Sequence, residues 1–435
     1  MREGGKPGDR GIDWSSLIKR EDWLVVWMGF AILLLAASGL ISKVPSVGAW
    51  TYDVSDALRA GDLPLFAMLG AGILALTTVG VKLKGEDLAD YWTGFPVVFI
   101  LAILAFIISR QATIKYYGLE YVLWALLLGI LISNVAGTPS WLRGAVKTEL
   151  FIKIGLVLLG AEILFPTIVR GGLVSVAQSI LAVVTTWYFC YYIAKRAGIG
   201  RSFASIMASA VSICGVSAAI AAGGAIKGDK KEISFTISMV LLTSIVMLVA
   251  EPYVARALGL PSAVAGAWIG GTIDTTGAVV AAGALYDETA MTAAAIVKLA
   301  QNVLIGVAAF GLAVYWSLRV EGRPDEKPSL TDIWYRFPKF IVGFVAASVI
   351  FSFLLMPVLG ETAVNSILGV TKSLRGWFFC ISFVCIGLET RFDELLKVGG
   401  TRAASVYLVA QSMNVLVVYF LAWLFFGGIF FPAPI

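Results

Sequence analysis

Apolar stretches follow one another along nearly the whole chain, each close to the length that crosses a ~30 Å hydrocarbon core. They fall near residues 23–42, 64–82, 93–109, 119–135, 149–168, 172–194, 202–226, 232–254, 262–286, 289–318, 339–357, 373–390 and 402–428. A soluble fold cannot bury so many such runs. Charged residues make up 14% of the chain, against about 25% in soluble proteins. The expectation is an all-α polytopic membrane protein with about 11–13 transmembrane segments.

Two of the stretches, about 202–226 and 262–286, have cores rich in small residues. One reads Ser212-Ile-Cys-Gly-Val-Ser-Ala-Ala-Ile-Ala-Ala-Gly223, the other Thr272-Ile-Asp-Thr-Thr-Gly-Ala-Val-Val-Ala-Ala-Gly283. Aligned without a gap, they share Ile, Ala, Ala-Ala and Gly, and each opens on a hydroxyl residue. Non-helical backbone at membrane depth is tolerated only where protein buries it or a cavity hydrates it. Paired helix breaks are therefore the sequence mark of a transporter's binding site.

Lengths alone allow each broken segment to cross or to re-enter. The first 22 residues carry Arg2, Lys6, Arg10, Lys19 and Arg20 with no apolar core, which suits a cytoplasmic tail rather than a signal peptide. A cytoplasmic N-terminus puts Lys82/Lys84, Arg143/Lys147 and Lys195/Arg196/Arg201 inside, as the positive-inside rule asks. Re-entrant hairpins return Lys227, Lys230 and Lys231 to that side as well, and place the two hairpins on opposite faces with tips able to meet. The rest, 23–435, reads as one transmembrane domain in the cell inner membrane, interrupted by a polar linker at about 320–335.

A second internal similarity joins Gly160-Ala-Glu-Ile-Leu-Phe165 to Gly387-Leu-Glu-Thr-Arg-Phe392, followed by Gly171-Gly172 and Gly399-Gly400 respectively. An odd number of crossings separates the copies, so they should run in opposite directions, as in inverted-repeat transporters.

Charge at membrane depth is expensive and therefore informative. Asp274 is the only charged residue between Arg256 and Asp287, and Lys298 the only one between Glu288 and Arg319. Asp274, with Thr272 beside it, suits a coupling-ion ligand for Na+ or H+, and its similar depth invites pairing with Lys298. Lys298 suits an anion, with Gln301 and Asn302 on the next turn, and Thr275 and Thr276 offer hydroxyls at the second break. At the first break Ser212, Cys214, Gly215 and Ser217 offer hydroxyls and backbone amides, and a helix starting near Val216 would aim its positive end at the tip. Lys153, Glu162, Glu251 and Glu389 are weaker candidates; Glu251, before Pro252 near a helix end, reads as reaching water.

Histidine is absent, and no metal-ligand cluster, P-loop or nucleophile–base pair is present in the sequence. An enzyme, a metal site, a bound cofactor and ATP-driven transport are not expected. Scattered loop cations argue against nucleic acid. Cys190, Cys214, Cys380 and Cys385 lie in apolar segments and suggest no disulfide framework.

Ser212-Ile-Cys-Gly215, Gly266-Ala-Trp-Ile-Gly270 with Val279-Val-Ala-Ala-Gly283, Ile296-Val-Lys-Leu299 and Ile154-Gly-Leu-Val-Leu-Leu-Gly160 together resemble blocks of the YeiH-type membrane proteins, a family labelled sulfate exporters. The similarity covers most of 119–428 in the same order. It implies a distant kinship with cation–proton antiporters and bile-acid symporters: an inverted-repeat fold, a moving core, an elevator or rocking motion, a homodimer and an anion substrate. The chain departs from the family at the second break. Asp274-Thr275-Thr276 stands where a His-Asp-Thr is usual, Gly277 or Ala278 replaces a Gln, and Gln301 replaces an Arg. The expected function is secondary active transport of a small anion (sulfate, sulfonate, bicarbonate or small carboxylate) coupled to Na+ or H+ across the lipid bilayer, with a passive anion channel or uniporter as the alternative.

Overall fold

The computed structural model describes residues 17, 20–116, 121–163, 165–319, 337–391 and 401–428. The 320–335 linker, most of the N-terminal tail and the Gly399-Gly400 pair lie outside them. Among the described residues there is no β-sheet, and nine helices are long and apolar enough to cross a membrane.

The principal helices are α1 (Glu21–Ala37), α2 (Leu63–Leu83), α3 (Leu88–Ser109), α4 (Tyr121–Val135), α5 (Thr148–Glu162) and α6 (Phe165–Arg196). Next come α7 (Arg201–Ser209), α8 (Gly215–Ala225), α9 (Lys230–Ala257), α10 (Ser262–Thr272), α11 (Thr276–Tyr286) and α12 (Glu288–Arg319). The chain closes with α13 (Phe340–Leu359), α14 (Glu361–Glu389) and α15 (Thr401–Phe426). Several starts are fixed by aspartate caps that occupy otherwise orphaned amides. Asp87 accepts from Ala89 N at 2.8 Å, Asp229 from Lys231 N at 2.8 Å and Asp287 from Ala290 N at 2.7 Å.

The helices pack in two groups. Helices α1–α5, α13 and α14 share the largest apolar cluster, which also reaches across to Ile273 and Ala278–Ala282. Helices α6–α12 and α15 enclose the smaller clusters.

Both broken segments re-enter. Ser202, entering α7, donates to Glu232 Oε2 at 2.8 Å, and a methyl group on Gly228 would fall 2.7 Å from Ile206 Cδ1. The two ends of the α7–α8 hairpin are thus side by side at the start of α9. At the other end of α9, Arg256 donates to Leu285 O at 2.6 Å and Tyr286 O at 2.8 Å, Ser262 donates to Asp287 Oδ2 at 2.5 Å, and the Tyr286 hydroxyl donates to Leu260 O. The α10–α11 hairpin therefore opens there. At 1.5 Å per residue the 28 residues of α9 span roughly 42 Å, so the two mouths lie on opposite faces. The Ser202 end is called the first face below, and the Arg256 end the second.

The two turns solve the same problem differently. In the first hairpin, Ala210–Cys214 widens into a π-helical turn and Gly215 reverses the chain at φ +41°, where a side chain is strained. In the second, Ile273 and Thr275 are extended at φ −73° and −103°, leaving Asp274 between two helix ends.

The internal similarity of residues 160 and 387 has a counterpart in space. Glu162 meets Arg375 at 2.9 Å while Ser382 donates to Thr148 O at 3.4 Å, so α5 and the end of α14 run antiparallel. Gly160 and Gly387 each sit against the backbone of another helix: an added methyl would lie within 2.8 Å of Phe344 Cα, or of Gly129 Cα. Both helices end in an extended residue, Ile163 and Thr390. A serine from the abutting helix donates to each freed carbonyl, Ser348 to Ile163 O and Ser133 to Thr390 O.

Candidate functional site

The hairpin tips meet. A Cβ on Gly215 would stand 3.0 Å from Asp274 Cβ and 3.4 Å from Asp274 O. Helix α12 runs past the contact and ties it together through side chains one turn apart. Lys298 Nζ donates to Ile213 O at 2.9 Å and to Gln301 Oε1 at 2.8 Å; Gln301 Nε2 donates to Ser212 O at 3.0 Å. Both carbonyls lie near the end of the π-turn, and these two side chains donate to them.

Asp274 is 2% exposed and accepts from the Tyr407 hydroxyl at 2.8 Å. Thr272, expected at its side, turns instead toward α9, where its hydroxyl oxygen is 2.5 Å from Glu251 Oε1 and 2.8 Å from Trp268 O. Glu251 is 5% exposed, so the expectation that it reaches water is corrected: α10 and α15 cover that end of α9. Asp274 and Lys298 make no ion pair within 4 Å; the ammonium is committed to the Ile213 carbonyl and to Gln301 Oε1. All four cysteines are buried free thiols.

Between the two helix groups lies a cavity of ≈ 630 Å³. It runs from the first face, at Asp22, Glu149 and Glu389, to the hairpin tips. Of the residues singled out from the sequence, Cys214, Ser217, Thr275, Thr276 and Asn302 line it. Ser212, Gly215, Thr272, Asp274 and Lys298 stand behind this wall; the Ser212 hydroxyl donates to Ala208 O at 2.7 Å within its own helix.

The wall is formed by two helix N-termini. Helix α8 begins at Gly215 and α11 at Thr276, and neither has a side-chain cap. Gly215 N already donates to Ala210 O, but the first turns and positive dipole ends of both helices face one cavity. Asn302 donates to Thr276 Oγ1 at 3.2 Å, while its own Oδ1 and Ser244 Oγ are buried without a partner. At the mouth, Lys153 is held by Asp22 at 3.0 Å, Glu21 at 3.3 Å and Glu149 at 3.4 Å. Nearby Glu86 bridges Lys84 and Lys147; burial opposes its charge, but the two ammonium groups outweigh it and hold the carboxyl below its ordinary value.

On the second face a cavity of ≈ 500 Å³ is crossed by Glu288 of one helix group, which pairs with Arg375 at 2.8 Å and Lys372 at 2.7 Å of the other. Arg375 also holds Glu162 at 2.9 Å.

Sequence reasoning missed Tyr407 and Gln411. Gln411 Nε2 donates to Thr272 O at 2.8 Å, and Asn414 accepts from Thr186 at 3.0 Å. A signal existed: Tyr407, Gln411 and Asn414 recur at i, i+4 and i+7 in an apolar span, marking one polar helix face.

Opposed re-entrant hairpins meeting beside a cavity between two helix groups define a polytopic membrane protein. Residues 93–405 match the family described as Conserved hypothetical protein 698, and the chain belongs to that family. A UPF0324 membrane protein of Rhodopirellula baltica is 42% identical over 405 residues, covering 91% of this chain and 74% of the relative. Another from Nitratidesulfovibrio vulgaris is 40% identical over 381 residues, 85% of this chain and 65% of the relative. The UPF0324 membrane protein TauZ of Paracoccus denitrificans is 29% identical over 312 residues, 70% of this chain and 88% of the relative. The family resemblance drawn from the Ser212–Gly215 and Val279–Gly283 blocks is thereby confirmed.

Proposed function

We propose that this chain is a secondary active transporter of a small anion, such as sulfate, a sulfonate, bicarbonate or a small carboxylate, coupled to Na+ or H+. The observation that carries the reading is the convergence of two uncapped helix N-termini on one cavity. Such ends are ready-made anion sites, because amide N–H groups and dipoles point at the ligand. A cavity of ≈ 630 Å³ suits a small solute. Ser217, Thr275, Thr276 and Asn302 would fix the anion. Lys298 would act from behind, holding the α8 tip in place and adding positive charge. Asp274 would carry the coupling cation, and the acidic mouth of Asp22, Glu149 and Glu389 would gather it.

The N-terminus would face the cytoplasm, placing the first face inside the cell membrane's inner surface. Alternating access would move the hairpin group against the other, and a homodimer would steady the latter; both rest on analogy with the resembling transporters. A passive channel would need neither the buried Asp274 nor an ion-pair clasp across the second face.

The test is flux into proteoliposomes loaded with a panel of small anions under imposed Na+ or pH gradients. Uphill accumulation that follows one gradient and is lost in Asp274→Asn is the expected result. Flux that only equilibrates whatever the gradient would refute coupling and leave a uniporter.

A further inference from the structure

We propose that Glu251 is a second proton-binding carboxyl of the hairpin core, protonated in this state. The proposal rests on the coupled-transport reading and gives the coupling ion a second place to bind.

The argument is a count of donors. Thr272 has one hydroxyl proton and three acceptors within reach, Glu251 Oε1 at 2.5 Å, Trp268 O at 2.8 Å and Ile269 O at 3.4 Å. That single proton serves one acceptor at a time, whereas a protonated Glu251 lets both short contacts be filled, the carboxyl donating to the threonine oxygen and the threonine to Trp268 O. Glu251 Oε2 has no partner, and Gln411 Oε1, whose amide is anchored to Thr272 O through Nε2, has none either. The pocket has acceptors to spare and lacks donors.

Charge agrees with the count. At the adjoining hairpin tip stands Asp274, another acid, which brings Glu251 no positive charge. From α15 come Tyr407, which already donates to Asp274, and the neutral Gln411. The α7–α8 hairpin presents the thiol Cys214, and Lys298 of α12 is spent on Ile213 O and Gln301. An ionised Glu251 would be a buried charge without a counter-ion, which proteins avoid by keeping the proton. Release is a simple dissociation: the O–H bond breaks, both electrons stay on the carboxylate, and the proton passes to water when movement of the hairpins hydrates the core.

The proposal is tested on the full-length protein by infrared difference spectroscopy across a pH titration, reading the carbonyl stretch of protonated carboxyl groups. The expected result is a band, sensitive to exchange into D2O, that is lost in Glu251→Gln and kept in Asp274→Asn. Thermal unfolding checks that each variant is folded. If Glu251→Gln fails to fold, Glu251→Asp serves instead, and the band should move rather than vanish. A spectrum unchanged in the Glu251 variant, or a band lost in Asp274→Asn alone, overturns the assignment. This readout needs no substrate, so its failure is separate from a failure of coupled flux: a band present without uphill transport would count against the transporter reading only.

Discussion

Gly215→Ala strikes the contact on which the two hairpins depend, and the structure fixes its cost. The new methyl meets two obstacles. At φ +41° and ψ −104° the backbone is in a region that side chains rarely enter, worth about 1–3 kcal/mol. It would also lie 2.4 Å from Val240 Cγ1 and 3.0 Å from Asp274 Cβ, an overpacking worth about 1–3 kcal/mol. The sum is about 2–6 kcal/mol if both are fully felt. Thermal unfolding of the purified protein, followed by tryptophan fluorescence, should show a clear fall in Tm. Gly224→Ala, on the same arm with no atom within 4 Å of the added methyl, should leave Tm unchanged or raise it by about 0.4–1 kcal/mol equivalent. Val240→Ala removes the closest obstacle but not the backbone strain. The pair should therefore couple favourably by about 0.5–3 kcal/mol, with the double variant still less stable than Val240→Ala alone. Gly215→Ala unfolding at the wild-type temperature would refute the reading of this turn.

Lys298→Met should cost about 1–3 kcal/mol for each of the two carbonyl oxygens it leaves unpaired, Ile213 O and Gln301 Oε1; denaturation of the variant at wild-type temperature would show that other donors replace it. Glu288→Gln should loosen the second face by removing the charge that joins Arg375 and Lys372, so that a cysteine placed at Ser46 in that cavity reacts faster with an impermeant thiol reagent; an unchanged rate would mean the clasp does not close this face. Glu86 contributes through a carboxyl held below its ordinary value of 4.5, so its stabilisation is present above that pH and is lost as pH falls through the lowered folded value. The difference in Tm between wild type and Glu86→Gln should accordingly shrink below pH 4.5 and hold steady near neutrality; a gap growing on acidification would reverse the sign.

Several features were legible in the sequence because their cause is local. Hydrocarbon demands apolar runs of fixed length, so the spans could be counted; charge and broken backbone are costly there, so Asp274, Lys298 and the Ser212–Gly223 and Thr272–Gly283 cores stood out. The inverted relation of Gly160 to Gly387 survived as a short repeat because both glycines must admit a neighbouring backbone. Re-entry was another matter. A crossing helix and a hairpin satisfy the same hydropathy, and only the contacts of Ser202 with Glu232 and of Arg256 with Leu285 and Tyr286 decide it. Partnership was likewise decided by packing across long chain separations. Thr272 went to Glu251 rather than to Asp274, Asp274 took Tyr407 from 133 residues away, and Lys298 took the carbonyl of Ile213 from 85 residues away. A buried polar group must find some partner, which its own sequence neighbourhood reveals; which partner it finds depends on how distant helices dock, and only the tertiary structure settles that.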